Sequence, residues 1–150
     1  MSQFDIVIDA EGHILGRMAS FVAKQLLLGK RVAIVNAGGA VISGNPKTIL
    51  EKYLKRRSIE GKPKPTKGPV WPRTPDRIVW KAIRGMLPMK KPKGRQALRR
   101  LRVYIGVPRE LRKVEPIKLG PEYRVENLKP KKSRRYVTVE WLSRMLGWRG

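Results

Sequence analysis

The stretch FDIVIDAEGHILGRMASFVAKQLLLGKRVAIV, residues 4–35, decides the fold. Its opening, Phe4-Asp-Ile-Val-Ile-Asp9, is a short β-branched apolar run bounded by Asp and reads as a strand. A turn at Ala10-Glu-Gly12 leads into residues 15–28, where Met18, Ala19, Val22, Ala23, Leu26 and Leu27 recur at helical spacing. Only Arg17, Ser20 and Lys24 keep a narrow polar stripe there, so this helix is expected to be mostly buried. Gly29 stands where a helix stop belongs. Val32-Ala-Ile-Val35 is unbroken apolar sequence, the mark of a strand covered on both faces. A strand, a helix and a second strand in this order predict a right-handed crossover and a parallel pair.

The rest of the chain extends that unit. Gly38-Gly39 breaks the backbone, and Val41-Ile42 reads as a short strand. Asn45-Pro46 has cap-then-proline chemistry and opens a helix to about residue 55, with Ile49, Leu50, Tyr53 and Leu54 as its apolar face. Thr74-Pro75-Asp76 repeats the signal for a helix to residue 87, ended by Pro88. A shorter helix over 95–101 feeds a strand at Val103-Tyr-Ile105. The chain closes on an amphipathic helix over 138–146, with Val139, Leu142 and Leu146 on one side and Gly147 as the stop. Alternating strands and helices predict a mainly parallel sheet with helices on both faces.

Charge sets the expected partner. The 150 residues carry 35 Lys+Arg against 11 Asp+Glu, a net charge of +24. A self-repelling charge of that size calls for a polyanion, with nucleic acid the first candidate and an anionic membrane surface the second. A hydrophobic fraction of 41% argues against a wholly disordered basic tail. The apolar runs fall far short of the roughly 20 residues that cross a bilayer. MSQFDIVID has neither the positive region nor the cleavage site of a signal peptide, and with no Cys an intracellular protein is expected. The charge is uneven: residues 1–50 hold 5 basic and 3 acidic side chains, 51–102 hold 18 and 3, and 103–150 hold 12 and 5.

Catalytic patterns are mostly lacking. His13 is the single histidine, and no nucleophile elbow surrounds any serine. A lone His beside Gly12 at a strand–helix turn is expected to be structural; the enzyme alternative would use it at the carboxyl end of the first strand. Asp5 and Asp9 share a strand face, but ion pairing is the expected role among so many cations. Gly39-Ala-Val-Ile-Ser-Gly44 spaces two glycines as a phosphate loop does, yet Asn45 stands where the lysine belongs, so a turn and helix cap are expected. No metal-ligand spacing and no cofactor motif is found.

The basic residues, by contrast, are organised. Arg77, Lys81 and Arg84 fall at i, i+4 and i+7, opposite Ile78, Val79, Ala82, Ile83, Met86 and Leu87. Arg95, Arg99 and Arg102 repeat the device beside Ala97, Leu98 and Leu101. Met89-Lys-Lys-Pro-Lys-Gly94 joins the two as a basic loop. A merely solvated surface would mix signs, whereas residues 77–102 contain no acid at all, which favours phosphate binding. Trp80 is expected to lean on the core, while Trp71 could equally pack or stack on an unpaired base. A DNA-coating protein is the third reading, although no zinc finger or zipper pattern supports sequence-specific DNA recognition.

Several segments carry a resemblance: Asp9-Ala-Glu-Gly-His-Ile-Leu-Gly-Arg-Met-Ala-Ser20, Arg84-Gly-Met-Leu-Pro-Met-Lys-Lys-Pro-Lys-Gly-Arg-Gln-Ala-Leu98 and Leu101-Arg-Val-Tyr-Ile-Gly-Val-Pro108. Together they resemble the large-subunit ribosomal protein family thirteen in its archaeal and eukaryotic form, strongly over residues 4–108. The chain departs from it at Met89, where many members have His. The resemblance implies a three-layer α/β/α fold with a four-stranded, mainly parallel sheet of order 3-2-1-4. It implies an RNA-binding domain over residues 1–106 and a basic extension over 107–150 ending in a short amphipathic helix. It further implies a cytoplasmic, non-catalytic protein that binds large-subunit ribosomal RNA, supports subunit assembly and touches neighbouring ribosomal proteins. No cofactor, membrane, small-molecule substrate or homo-oligomer is implied. The RNA-facing set is then expected at Lys52, Arg56, Arg57, Arg73, Arg77, Lys81, Arg84, Lys90, Lys91, Lys93, Arg95, Arg99, Arg100, Lys131, Lys132, Arg134 and Arg135.

Overall fold

A computed structural model describes residues 3–57, 73–124 and 135–149. The opening segment folds as its pattern requires. Strand β1 (Ile6–Asp9), helix α1 (Leu15–Leu27) and strand β2 (Val32–Val35) form a crossover unit, with β1 and β2 parallel and Ile8 opposite Ile34. Met18, Ala19, Val22 and Leu26 put the apolar face of α1 on the sheet, and all four residues of β2 are buried. Gly29 ends α1 in a left-handed conformation (φ +92°), and Gly147 (φ +104°) does the same near the end of the chain, where a side chain would be strained.

Four more helices follow: α2 (Pro46–Arg57), α3 (Pro75–Arg84), α4 (Pro92–Arg99) and α5 (Val139–Met145). Asn45 caps α2 through its side-chain oxygen, which accepts the Lys47 N–H at 2.9 Å. Thr138 caps α5 by accepting the Trp141 N–H at 3.1 Å. At α3 the Thr74 hydroxyl makes no such bond; Pro75 presets the first turn and Asp76 supplies the favourable negative charge.

The sheet departs from the implied four-stranded order. Three strands pair in the order β1-β2-β4, all parallel, with β4 being Leu101–Val103. Strand β3 (Val41–Ser43) leaves this sheet and pairs antiparallel with β5 (Tyr136–Thr138). Asn36, in a left-handed conformation (φ 55°), and the 3-10 turn Ala37–Gly39 divert the chain before β3 can join. Among the described residues the sheet gains beyond β1 only a one-residue parallel bridge, Ile8 to Ile117. Leu119, whose N–H would be the next to pair with β1, donates it instead to His13 Nε2.

The helices also gather on one face. Ile49 of α2, Ile78 and Ile83 of α3, Ala97 of α4, and Val139 and Leu142 of α5 all join the core of Ile8, Ile34 and α1. The opposite face is covered by Phe4, Tyr104, Leu111 and Val114, which pack on Val7, Ala33 and Val35; the regular element there is a 3-10 turn, Arg109–Leu111. Among the described residues the expected second helical layer is therefore replaced by irregular chain. The described part of residues 107–150 is tied into the same core through Leu119, Val137, Val139, Leu142 and Leu146.

Candidate nucleic-acid interface

The acid-free run is carried by α3 and α4, which both pack against α1 and β4 of the sheet. Ile78, Val79 and Ile83 hold α3, leaving Arg77 exposed and Lys81 and Arg84 half-exposed. Arg77 lies over the Trp80 ring, 5.2 Å from its centroid, and Trp80 is half-buried against the core as expected. A cation on a desolvated ring face keeps its outward N–H groups available while its stem is held. In the connecting loop, Lys90 and Lys91 are exposed, and Lys93 and Arg95 project from the first turns of α4.

The shape of this loop rests on Gly94. It is buried in α4 against Pro88, and a Cβ there would run into the Pro88 carbonyl, with Met89 N another 3.1 Å away. The Leu87-Pro88-Met89 turn and the start of α4 are thus pressed backbone to backbone. That contact sets the direction in which Lys90, Lys91 and Lys93 point.

The second stripe forms only in part. Helix α4 ends at Arg99, so Arg102 belongs to β4, and its Nη1 folds back to the carbonyls of Leu101 at 2.9 Å and Arg99 at 3.3 Å. Arg100 is half-buried and donates its Nη1 to the Leu26 carbonyl at 3.0 Å, closing the C-terminal end of α1. Of the remaining expected residues, Lys52, Arg73, Arg99 and Arg135 are exposed. Lys131, Lys132, Arg134, Trp71 and the side chains of Arg56 and Arg57 lie outside the described residues. The sequence reading missed Arg31, which meets Arg99, Arg100 and Arg102 around a cavity of about 400 Å³.

His13 serves the fold. Its ring is fully buried, Nε2 accepts the Leu119 N–H at 2.9 Å, and Nδ1 faces the Glu11 carbonyl at 3.3 Å. Both nitrogens are occupied by backbone, so the ring joins the β1–α1 turn to the returning chain and has no nitrogen left for a substrate. Burial lowers its pKa below the ordinary 6.5, against weaker opposing effects of the Glu11 and Ala10 backbone. The unfolded chain consequently takes up the proton first as pH falls, and protonation would set a second N–H against that of Leu119. Stability is expected to be full above about pH 6.5, to fall below it, and to level off once the buried ring is itself protonated. Thermal melts between pH 7.5 and 5.5 test this, because no other side chain of an ordinary pKa titrates there. A flat profile in the unaltered chain contradicts it, and His13→Gln should flatten the profile.

Among the described residues no helix is long and apolar enough to cross a membrane, and no group of three His, Asp or Glu is placed to hold a metal. A three-stranded parallel sheet with its helices on one side, carrying the acid-free run 77–102 on α3 and α4, defines a strongly basic α/β protein. The comparisons are narrower than that class. The ribosomal protein L13 family matches residues 4–110, and the chain belongs to it. It is 47% identical over 148 residues to the large ribosomal subunit protein uL13 of Archaeoglobus fulgidus, covering 96% of this chain and 88% of the relative. The uL13 protein of Aeropyrum pernix is 44% identical (97% and 92% covered), and that of Methanopyrus kandleri is 46% identical (95% and 86% covered). Members of this family are ribosomal proteins, not enzymes.

Proposed function

We propose that this chain is a cytoplasmic structural constituent of the large ribosomal subunit that binds ribosomal RNA through the α3–α4 face and supports subunit assembly, without catalysis. The observation that carries the reading is the acid-free run 77–102, which two helices and a Gly94-braced loop turn outward as one basic surface. In a family whose relatives are named for the large subunit, a face of this sign and extent fits the phosphate backbone of folded RNA. Residues 1–106 supply the RNA-binding α/β unit, and 107–150 form a basic extension anchored at Leu119 and α5. Its basic cluster Lys131, Lys132, Arg134 and Arg135 suits a second strand of RNA, and the extension is also the part suited to meet neighbouring ribosomal proteins. Homo-oligomerisation has no part in the reading, since a net charge of +24 repels a second copy.

Fractionation of a lysate tests it. The chain should travel with the large subunit and remain there through a moderate-salt wash. Recovery as free protein under those conditions overturns the proposal.

A further inference from the structure

The cavity noted above sits at the amino ends of the parallel strands, the pole opposite the one where α/β folds usually hold ligands. Phe4 precedes β1, Arg31 precedes β2 and Arg100 precedes β4, while Arg99 closes α4 and Arg102 lies in β4. Four guanidinium groups therefore line about 400 Å³ together with Gln3, Phe4 and Gln96. None of the four forms an ion pair with a described carboxylate. The nearest acid in sequence, Asp5, instead accepts the Arg31 backbone N–H at 2.8 Å.

The frame is also rigid. The Arg31 carbonyl accepts from Asp5 N at 2.8 Å and Ile6 N at 3.1 Å, and Val32 N donates to the Arg100 carbonyl at 3.1 Å. Arg100 and Arg102 are each fixed by side-chain bonds to backbone carbonyls, which leaves their other N–H groups free to donate. Four arginines held together without counter-charge are costly unless a multivalent anion joins them. The two fixed forks, Arg100 and Arg102, lose little entropy on binding one. Arg102 also borders a separate, smaller hollow lined by Asp76, Arg77 and Trp80, and so stands between the cleft and the α3 face.

We propose that this cleft is a phosphate clamp that seats a sharply bent segment of the RNA backbone, with the forks of Arg31, Arg99 and Arg102 on adjacent phosphates. The inference rests on the RNA-binding reading above and adds a second, concave anchor to its convex face. A bend suits the site because a concave cluster can reach phosphates that an extended helix backbone would hold apart.

The test compares the full chain with Arg31→Gln/Arg102→Gln and with the face variant Arg77→Gln/Arg84→Gln, each titrated with a large-subunit ribosomal RNA transcript across salt. The clamp variant should bind at least tenfold more weakly at low salt. Its slope of log affinity against log salt should shrink by about 1.4–1.8, two contacts at about 0.7–0.9 each. Arg31→Lys/Arg102→Lys should recover most of the slope but not all of the affinity, since Lys lacks the fork. A clamp-variant slope equal to that of the unaltered chain, with the face variant reduced, overturns the clamp and leaves the RNA reading intact. Slopes unchanged in both variants overturn both. Two further arms identify the source of the anion. If inorganic pyrophosphate or poly-glutamate binds the unaltered chain but not the clamp variant, while the RNA slope is unchanged, the cleft takes a free phosphate or an acidic protein and the clamp is overturned. Melting within a few degrees of the unaltered chain shows that the variants fold.

Discussion

Gly94→Ala is expected to lower the melting temperature by about 6 °C or more. The single added methyl would occupy the space of the Pro88 carbonyl. Neither side can give way cheaply, because Gly94 is in α4 and Pro88 follows Leu87, which is anchored in the core. Overpacking against backbone costs about 3 kcal/mol or more, and in a chain of this length each 1 kcal/mol shifts melting by about 2–4 °C. Gly16→Ala makes the control. It lies in α1 with nothing within 4 Å of the new methyl, so it should be neutral or raise stability by about 0.5–1 kcal/mol. Calorimetry on the two variants decides the matter. Equal melting temperatures would show that the Pro88–Gly94 contact is not what shapes the basic loop.

Removing charge from the α3–α4 face should separate binding from folding. Replacing Arg77, Arg84, Lys91 and Arg95 with Gln removes four cations whose loss disturbs no buried contact beyond the Arg77–Trp80 stacking. If each meets one phosphate, the salt slope for ribosomal RNA falls by about 3, at about 0.7–0.9 per contact. Affinity at low salt should fall by several orders of magnitude. The free protein should melt no lower than before, because the change relieves self-repulsion. RNA titrations across 50–300 mM salt, paired with melts, measure both quantities. An unchanged slope would move the interface elsewhere.

The parts of this fold that were legible in the sequence are those that local pattern determines. β1, α1 and β2 were readable because apolar residues recur at strand and helix periods and Gly29 closes the helix. The starts of α2, α3 and α5 were readable from Asn45-Pro46, Thr74-Pro75 and Thr138. What the sequence concealed depends on partners distant in the chain. Val41–Ser43 looks like any short strand, and only its meeting with Tyr136–Thr138 takes it out of the parallel sheet. Among the described residues the second face has no helix because Leu111 and Val114 reach it from a segment without helical period.

The basic face divides in the same way. The α3 stripe needed only helical spacing and was visible. The end of α4 at Arg99 moved Arg102 onto β4, and the Leu26 carbonyl at the end of α1 drew in Arg100. Arg31 carried no pattern of its own, because its three arginine neighbours around the cavity lie about seventy residues away. His13 was correctly read as structural, but its partner Leu119 could not be named from spacing alone.

The most direct test of the central claim is the reactivity of single lysines. The free chain and purified large subunits containing it would be acetylated briefly, and modification would be read at each lysine. Lys90, Lys91 and Lys93, all exposed in the free protein, should react there and be strongly protected in the subunit. Equal modification of these three lysines in the free chain and in the subunit would contradict an RNA-facing α3–α4 surface.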